Sequence, residues 1–146
     1  MDTGEIGELK IINVSLSSYL ENQDGNIRMN GELGGGSLYD MGCYCIHSIQ
    51  TLLSSDPKRV FANMQKNHDR QIDISVTGLM ELNNGMTATF EAAMDCTRID
   101  YYEIIGTKGS IQVPRAFAPQ LFKGEALILI YKQNGQYREE KVFGDQ

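Results

Sequence analysis

The sequence predicts an α+β domain in which one long helix packs on one face of an open, mainly antiparallel β-sheet. Apolar residues recur at three- and four-residue steps after a triple glycine, which is typical of one helical face. Beyond that stretch, apolar and polar residues alternate, as in half-buried strands. Short Asn- and Gly-containing turns join the alternating segments, and such turns connect antiparallel strands.

The helix is predicted from about residue 37 to residue 53, directly after glycines 34–36. Its apolar stripe consists of Leu38, Met41, Cys45, Ile49 and Leu52. Ser37 has the side chain of a helix cap, and Asp56-Pro57 is predicted as the turn beyond the helix.

A first strand is predicted before the helix, from the β-rich apolar residues Ile11, Ile12, Val14, Leu16 and Leu20. Residues 22–31 contain Asn, Asp and Gly in quick succession, so we expect them to form a loop.

Two strands are predicted at residues 72–82 and 86–94, both with apolar residues at even positions. A two-residue turn would place Leu82 beside Thr87 and split the apolar face. A three-residue loop pairs Leu82 with Met86 and Gly78 with Phe90, which keeps that face together. We therefore predict the three-residue loop, with Gly85 in the left-handed conformation.

Four further strands are predicted at residues 101–105, 110–113, 126–131 and 136–143. Residues 106–109 would join the first two, and Asn134-Gly135 the last two. The charged run of residues 138–141 lies in the final hairpin, where charges discourage the pairing of edge strands between molecules.

Length, charge and composition limit the classes of protein to which the chain can belong. A chain of 146 residues with 41% hydrophobic residues is enough for one domain, 1–146. A net charge of −6 leaves no basic stripe for nucleic acid, so the expected partner is a small molecule or a protein. No apolar run is long enough to span a membrane, and Met1-Asp2 does not begin a signal segment, so we expect a cytoplasmic protein without membrane association.

The cysteines and His68 are not predicted to bind metal. Three cysteines without C-x-x-C spacing indicate free thiols, and Cys43 and Cys45 point in different directions on a helix. His68 lies in a polar connection without neighbouring ligands and is expected at the surface.

Asp40, Tyr44 and His47 are the candidate chemical residues. At about 100° per residue they share a narrow sector of the helix, opposite the apolar stripe. A carboxylate, a phenol and an imidazole together can orient a hydroxyl group and transfer a proton. The alternative is an ordinary solvated helix face.

The triple glycine permits two interpretations. It could let a ligand approach the start of the helix, where free N–H groups attract anions, or it could form a tight backbone loop. Neither a Walker lysine nor a G-x-G-x-x-G fingerprint is present, so the chain holds no complete nucleotide-phosphate site.

Asn26-Ile27-Arg28, followed by ELGGGSLYDMGCY at residues 32–44, resembles the glucose-fructose oxidoreductase, inositol dehydrogenase and MocA family. Further similar segments are GEIG at residues 4–7, Asp56-Pro57, Asn84-Gly85 and IGTKGS at residues 105–110. Together, these similar segments extend over nearly the whole chain.

The resemblance implies a two-domain enzyme. Its Rossmann domain would hold NAD or NADP, and its second, α+β domain, similar to the C-terminal domain of glyceraldehyde-3-phosphate dehydrogenase, would face the substrate. This chain resembles the second domain alone, with the Rossmann domain missing and the final helical segment cut short. We therefore expect a fragment that is inactive by itself.

The resemblance also implies roles for residues. Asp40 and Tyr44 match catalytic positions that act with a lysine from a Glu-Lys-Pro segment of the first domain. His47 and Arg28 are carried over as substrate contacts, and Arg28 also as a cofactor contact. Members of the family form homo-oligomers through the open sheet face.

Two classes of function therefore remain. The first is hydride transfer between NAD(P) and a sugar-like or polyol alcohol, with a small-molecule substrate. The second is a non-enzymatic sugar-binding or dimerisation module.

Overall fold

A computed structural model describes residues 4–143, apart from the side chain of Phe122. In these residues, eight strands form one mixed β-sheet, and the α-helix Cys43–Leu53 (α1) accompanies it. The chain divides into two units, Val14–Ile99, and Met1–Asn13 together with Asp100–Gln146. Strand β1, Leu9–Ser17, belongs partly to each unit. The sequence predicted a strand whose apolar residues run from Ile11 to Leu20. The observed strand begins and ends earlier, so Leu20 lies outside it.

In the unit Val14–Ile99, three strands follow the helix: β2 (Pro57–Asn67), β3 (Ile72–Leu82) and β4 (Thr87–Ala93). They pair antiparallel in the order β2-β3-β4, and β1 lies beside β4. The pairing confirms the mainly antiparallel sheet that the turn sequences predict.

The hairpin between β3 and β4 has the predicted register. Gly78 lies opposite Phe90, and the Leu82 N–H donates to the Met86 carbonyl at 2.9 Å across a three-residue loop. Gly85 adopts φ +83°, the left-handed conformation. The buried apolar residues at even positions consequently share one face, namely Ile72, Val76, Met80, Leu82, Ala88, Phe90 and Ala92, and Ala93 at the end of β4 is buried on the other face.

The helical segment starts with a π-helical turn, Leu38–Gly42, and continues as α1. Cys45, Ile49 and Leu53 form its buried line, four residues apart. The prediction of Leu52 in that line is wrong by one residue, because four-residue steps from Cys45 arrive at Leu53 and leave Leu52 only half-buried. The helix ends at Ser54, which has left-handed φ and ψ of 47° and 42°.

Strand β2 was not predicted from the sequence, since Pro57 was expected in a turn and no strand was expected in residues 58–67. All its inner residues are exposed, so apolar and polar residues do not alternate along it. Its existence depends on pairing with β3, in which Phe61 lies opposite Leu79. Without a buried face, the strand leaves no period-two signal in the sequence.

The other unit contains the beginning of β1 and four strands joined as hairpins: β5 (Ile99–Gly106), β6 (Gly109–Pro114), β7 (Glu125–Lys132) and β8 (Tyr137–Phe143). Their antiparallel order is β5-β6-β7-β8, in which the β5-β6 and β7-β8 hairpins are the two predicted. A 3₁₀ turn, Pro119–Phe122, precedes β7. The exposed edge strand β8 carries Glu139 and Glu140, where we expected charges.

Two hairpin turns, one in each unit, share the same chemistry. Asn84 Oδ1 accepts from the Met86 N–H at 3.1 Å, and Asn134 Oδ1 accepts from the Gln136 N–H at 3.1 Å. The glycine that follows each asparagine has positive φ. These Asn-Gly turns are local, so the sequence specifies them without tertiary help.

Candidate functional site

Arg28 lies in a short 3₁₀ turn, Ile27–Met29, that asparagine side chains and a buried methionine hold in place. Asn26 Oδ1 accepts a hydrogen bond from the Arg28 N–H at 3.0 Å. Met29 is buried and packs with Ile72 and Met94. With Met29 anchored inward, Arg28 carries its guanidinium on the outer side of the turn, half exposed.

The glycine loop lies directly against this turn. The Gly35 N–H donates to the Asn30 carbonyl at 2.8 Å, and the Gly36 N–H donates to the Arg28 carbonyl at 2.9 Å. A methyl group at Gly35 would stand 2.5 Å from the Arg28 carbonyl oxygen and 2.7 Å from that of Asn30. Of the two interpretations of the glycines, this geometry favours close backbone approach within the chain.

Asp73, the second residue of β3, occupies the start of the helical segment. Its Oδ2 accepts from the Ser37 hydroxyl at 2.6 Å and from the Leu38 N–H at 2.7 Å. Ser37 stands at the N-cap position, as predicted, but its hydroxyl donates to Asp73 and caps no N–H group. The carboxylate fills the place that an anionic ligand would take. No local pattern in the sequence indicates this contact across 36 positions.

Asp40 lies inside the π-helical turn. The Cys43 N–H donates to the Leu38 carbonyl, five residues earlier, which is the wide turn of a π-helix. Gly42 is buried, and a methyl group there would stand 2.9 Å from Leu38 Cδ1 of the same turn, whereas its 3.7 Å distance to the Ala92 Cβ of β4 would be an ordinary contact. Wide turns of this kind occur frequently at functional sites, and a helical-face argument at 100° per residue does not anticipate them.

The structure brings Arg28 and Asp40 into direct contact. Arg28 Nε donates to Asp40 Oδ1 at 2.8 Å, with side chains 49% and 25% exposed. The guanidinium hydrogen-bonds to no other group in residues 4–143. Arg28, expected as a substrate or cofactor contact, thus has a protein partner for one of its nitrogens.

Tyr44 and His47 lie on the exposed side of α1, away from the buried Cys45 and Ile49. Tyr44 is 56% exposed, and His47 Nε2 lies 3.5 Å from Thr51 Oγ1. Within the described residues, neither hydrogen-bonds to Asp40. The four candidate residues therefore comprise one ion pair and two exposed helix residues available to another group.

A cavity of about 350 Å³ lies beside the glycine loop, between it and the end of β2. Gly35, Tyr39, Lys66 and His68 are among its lining residues. None of the four candidate residues lines it. His68 is exposed, as predicted.

The cysteines are free thiols, as predicted: Cys43 and Cys96 are exposed, and Cys45 is buried. In residues 4–143, no cluster of three or more His, Cys, Asp or Glu side chains is arranged to hold a metal ion. Over the same residues, no helix has the length and apolarity to cross a membrane.

A known family model matches most of the chain. Residues 1–112 match the model of the GFO/IDH/MocA C-terminal domain. D-xylose 1-dehydrogenase (NADP(+)) 2 of Haloferax volcanii is 30% identical over 113 residues, which are 77% of this chain and 34% of that protein. A dTDP-3,4-didehydro-2,6-dideoxy-α-D-glucose 3-reductase of Actinomadura kijaniata is 30% identical over 82% of this chain and 36% of its own length. The chain thus spans about a third of these relatives.

Solved structures share the fold. A 3-ketoreductase from Actinomadura kijaniata, crystallised with NADP and TDP-benzene, superposes with a TM-score of 0.86 over 98% of this chain and 43% of its own, at 24% identity. An aldose-aldose oxidoreductase from Caulobacter crescentus, crystallised with glycerol, gives 0.82 over 98% and 42%, at 20% identity.

Proposed function

The chain belongs to the GFO/IDH/MocA oxidoreductase family, and from this premise we propose that it is the substrate-facing domain of an NAD(P)-dependent oxidoreductase acting on a sugar-like or polyol alcohol. The relatives named above support the substrate class, since they are a xylose dehydrogenase and a dTDP-sugar ketoreductase. The observation that carries the proposal is the outward-facing group of Asp40, bound to Arg28, with Tyr44 and His47 on the same helical segment.

Each residue has a proposed role. The Tyr44 hydroxyl donates a proton to the carbonyl oxygen during reduction, and its phenolate accepts that proton during oxidation. Asp40 orients the reacting hydroxyl group by accepting its hydrogen bond. His47, which can donate and accept, contacts a further hydroxyl group of the substrate.

A nicotinamide cofactor, when bound, would supply or accept the hydride. The residues of this chain fit a position beside the nicotinamide, and they do not fit the cofactor's phosphates. The Asp73 carboxylate accepts from the Leu38 N–H at the start of the helical segment, so a negative charge already occupies the place that a pyrophosphate would take there. We therefore infer that another domain holds the dinucleotide.

Substitution in the full-length oxidoreductase tests the proposal. Tyr44→Phe should lower kcat/KM about a hundredfold, because general acid–base catalysis contributes roughly that factor or more. Asp40→Asn keeps the side-chain shape and should also lower kcat/KM. Tyr39→Phe is the matched control, because Tyr39 is an exposed tyrosine one residue from Asp40. Wild-type kcat/KM in both Tyr44→Phe and Asp40→Asn would refute the assignment.

A second proposal concerns assembly. On the sheet, Phe61 lies opposite Leu79, and these apolar side chains are 55% and 40% exposed. We propose that this face of β2 and β3 forms a homodimer contact, since apolar neighbours on an exposed sheet face favour burial against a partner. Sedimentation equilibrium of the full-length protein should show a dimer that Phe61→Ser weakens. A wild-type protein that stays monomeric at high concentration would rule it out.

A further inference from the structure

The bond between Arg28 and Asp40 fixes a carboxylate that has few other restraints. Asp40 Oδ1 accepts from Arg28 Nε at 2.8 Å, and no other hydrogen bond to this side chain is formed within residues 4–143. A carboxylate on a helical turn can rotate about two side-chain bonds. One charge-assisted hydrogen bond therefore selects its orientation.

The surrounding backbone is built to keep Arg28 within reach of that carboxylate. The Gly36 N–H binds the Arg28 carbonyl at 2.9 Å, and the Asp40 N–H binds the Gly36 carbonyl at 3.0 Å. Two backbone hydrogen bonds thus connect the two residues through Gly36, independently of their side chains. The close approach of Gly35 to the carbonyls of Arg28 and Asn30 leaves no space for a side chain at this junction.

We propose that Arg28 is a positioning residue for Asp40, and that the glycine loop serves to seat Arg28 against the π-helical turn. This inference rests on the proposed function, because it assigns Arg28 a part in the same reaction. Arg28 acts through Asp40 by holding the carboxylate toward the substrate hydroxyl group. It does so without itself touching substrate or cofactor.

A double-mutant cycle in the full-length oxidoreductase tests the inference, because a residue that acts only through another has no effect once that partner is disabled. Arg28→Gln alone should lower kcat/KM on the order of tenfold, since hydrogen bonds to charged groups are among the stronger ones. The loss should lie in kcat, with KM for substrate and cofactor changed by less than about twofold. In the Asp40→Asn background, Arg28→Gln should cause no further loss.

Two variants separate positioning from general damage. Arg28→Lys keeps the positive charge but loses the fixed geometry of the guanidinium, so it should recover part of the kcat that Arg28→Gln loses. Arg138→Gln removes an ion pair of the same 2.8 Å length, between Arg138 Nε and Glu140 on β8, and should leave kcat/KM unchanged. Urea unfolding shows whether each variant is folded. If Arg28→Gln does not fold, Arg28→Lys takes its place in the double-mutant cycle.

The outcomes are distinguishable. The inference would be overturned if Arg28→Gln lowered kcat/KM by the same factor in the Asp40→Asn background as in the wild type. It would also be overturned if the loss appeared as a raised KM. Either result would show that Arg28 contacts a ligand directly. Wild-type kcat/KM in Arg28→Gln would overturn it as well. Either result would leave the proposed function intact, provided that Asp40→Asn and Tyr44→Phe are impaired. Full activity in those two variants would refute both.

Discussion

The carboxylate of Asp73 accepts a 2.6 Å hydrogen bond from the hydroxyl of Ser37, a residue with no exposed surface. The same oxygen accepts from the Leu38 N–H. A strand residue thus caps the helical segment that carries the candidate site. It also compensates the buried hydroxyl of Ser37, which would otherwise lack a partner.

Removal of this carboxylate should destabilise the fold. Asp73→Ala leaves the Ser37 hydroxyl and the Leu38 N–H unsatisfied, so we expect the free energy of unfolding to fall by about 2 kcal/mol. Asp73→Asn keeps one acceptor oxygen and should cost about half as much. Urea denaturation measures both values, with Asp69→Asn in the neighbouring exposed turn as the control. Equal stabilities for Asp73→Ala and Asp69→Asn would contradict this account of the helix start.

Adjacent glycines should respond differently to a methyl group. At Gly35 the methyl would collide with the Arg28 and Asn30 carbonyls, so Gly35→Ala should displace Arg28 and lower kcat in the full-length enzyme. At Gly34 the methyl would meet nothing within 4 Å, but φ is +74°. Gly34→Ala should therefore cost about 1 kcal/mol of stability with kcat retained. Measurements of kcat and of urea denaturation on both variants test this difference. A lower kcat in Gly34→Ala than in Gly35→Ala would contradict it.

The three thiols should react at different rates. Burial raises the pKa of Cys45 to about 12, so this thiol is neither charged nor reachable near neutral pH. Desolvation, with Asp95 nearby, raises the pKa of Cys96, whereas Cys43 is exposed on the helix. With iodoacetamide at pH 8, mass spectrometry should show Cys43 modified first, Cys96 more slowly and Cys45 only after unfolding. Early modification of Cys45 in the folded chain would disprove its burial.

Glu5 should give the fold an acid-sensitive component. Hydrogen bonds from Lys132 and then Arg138 hold the pKa of this carboxylate below its ordinary value of 4.5. A pKa lowered by folding adds stability that is fully present above pH 4.5 and is lost as the pH falls through the lower folded-state value. Glu5→Gln should therefore be less stable than wild type at pH 7, and this difference should shrink below pH 4.5.

Urea denaturation at several pH values measures this difference, and added salt should reduce it because the ion pairs are accessible to solvent. Glu8→Gln is the control, since within residues 4–143 the Glu8 carboxylate pairs only with the exposed Lys10. A constant difference between Glu5→Gln and wild type from pH 7 to pH 3 would show that the carboxylate's charge is not involved.

Much of the fold could be predicted because its signals are local. The even-numbered apolar residues of β3 and β4, together with the three residues after Leu82, were enough to predict the register of Gly78 opposite Phe90. Asn84-Gly85 and Asn134-Gly135 specify their turns through side-chain hydrogen bonds two residues along the chain. Strand β2 has no such signal, since both its faces are exposed and its partner strand alone makes it a strand.

For the candidate site, the sequence indicated the residues but not their partners. Helical spacing placed Asp40, Tyr44 and His47 away from the buried line, and the structure shows Tyr44 and His47 exposed. The same spacing gave no indication of the π-helical turn around Asp40. The catalytic roles of Asp40, Tyr44 and His47 remain predictions.

By itself, the sequence determined which residues alternate, which recur at helical spacing and where the chain turns, because these properties depend on neighbours a few positions apart. Only the tertiary structure decided that Arg28 binds Asp40 and that Asp73 caps the helical segment. Such contacts join residues 12 and 36 positions apart, and they depend on where loops and strands come together in three dimensions.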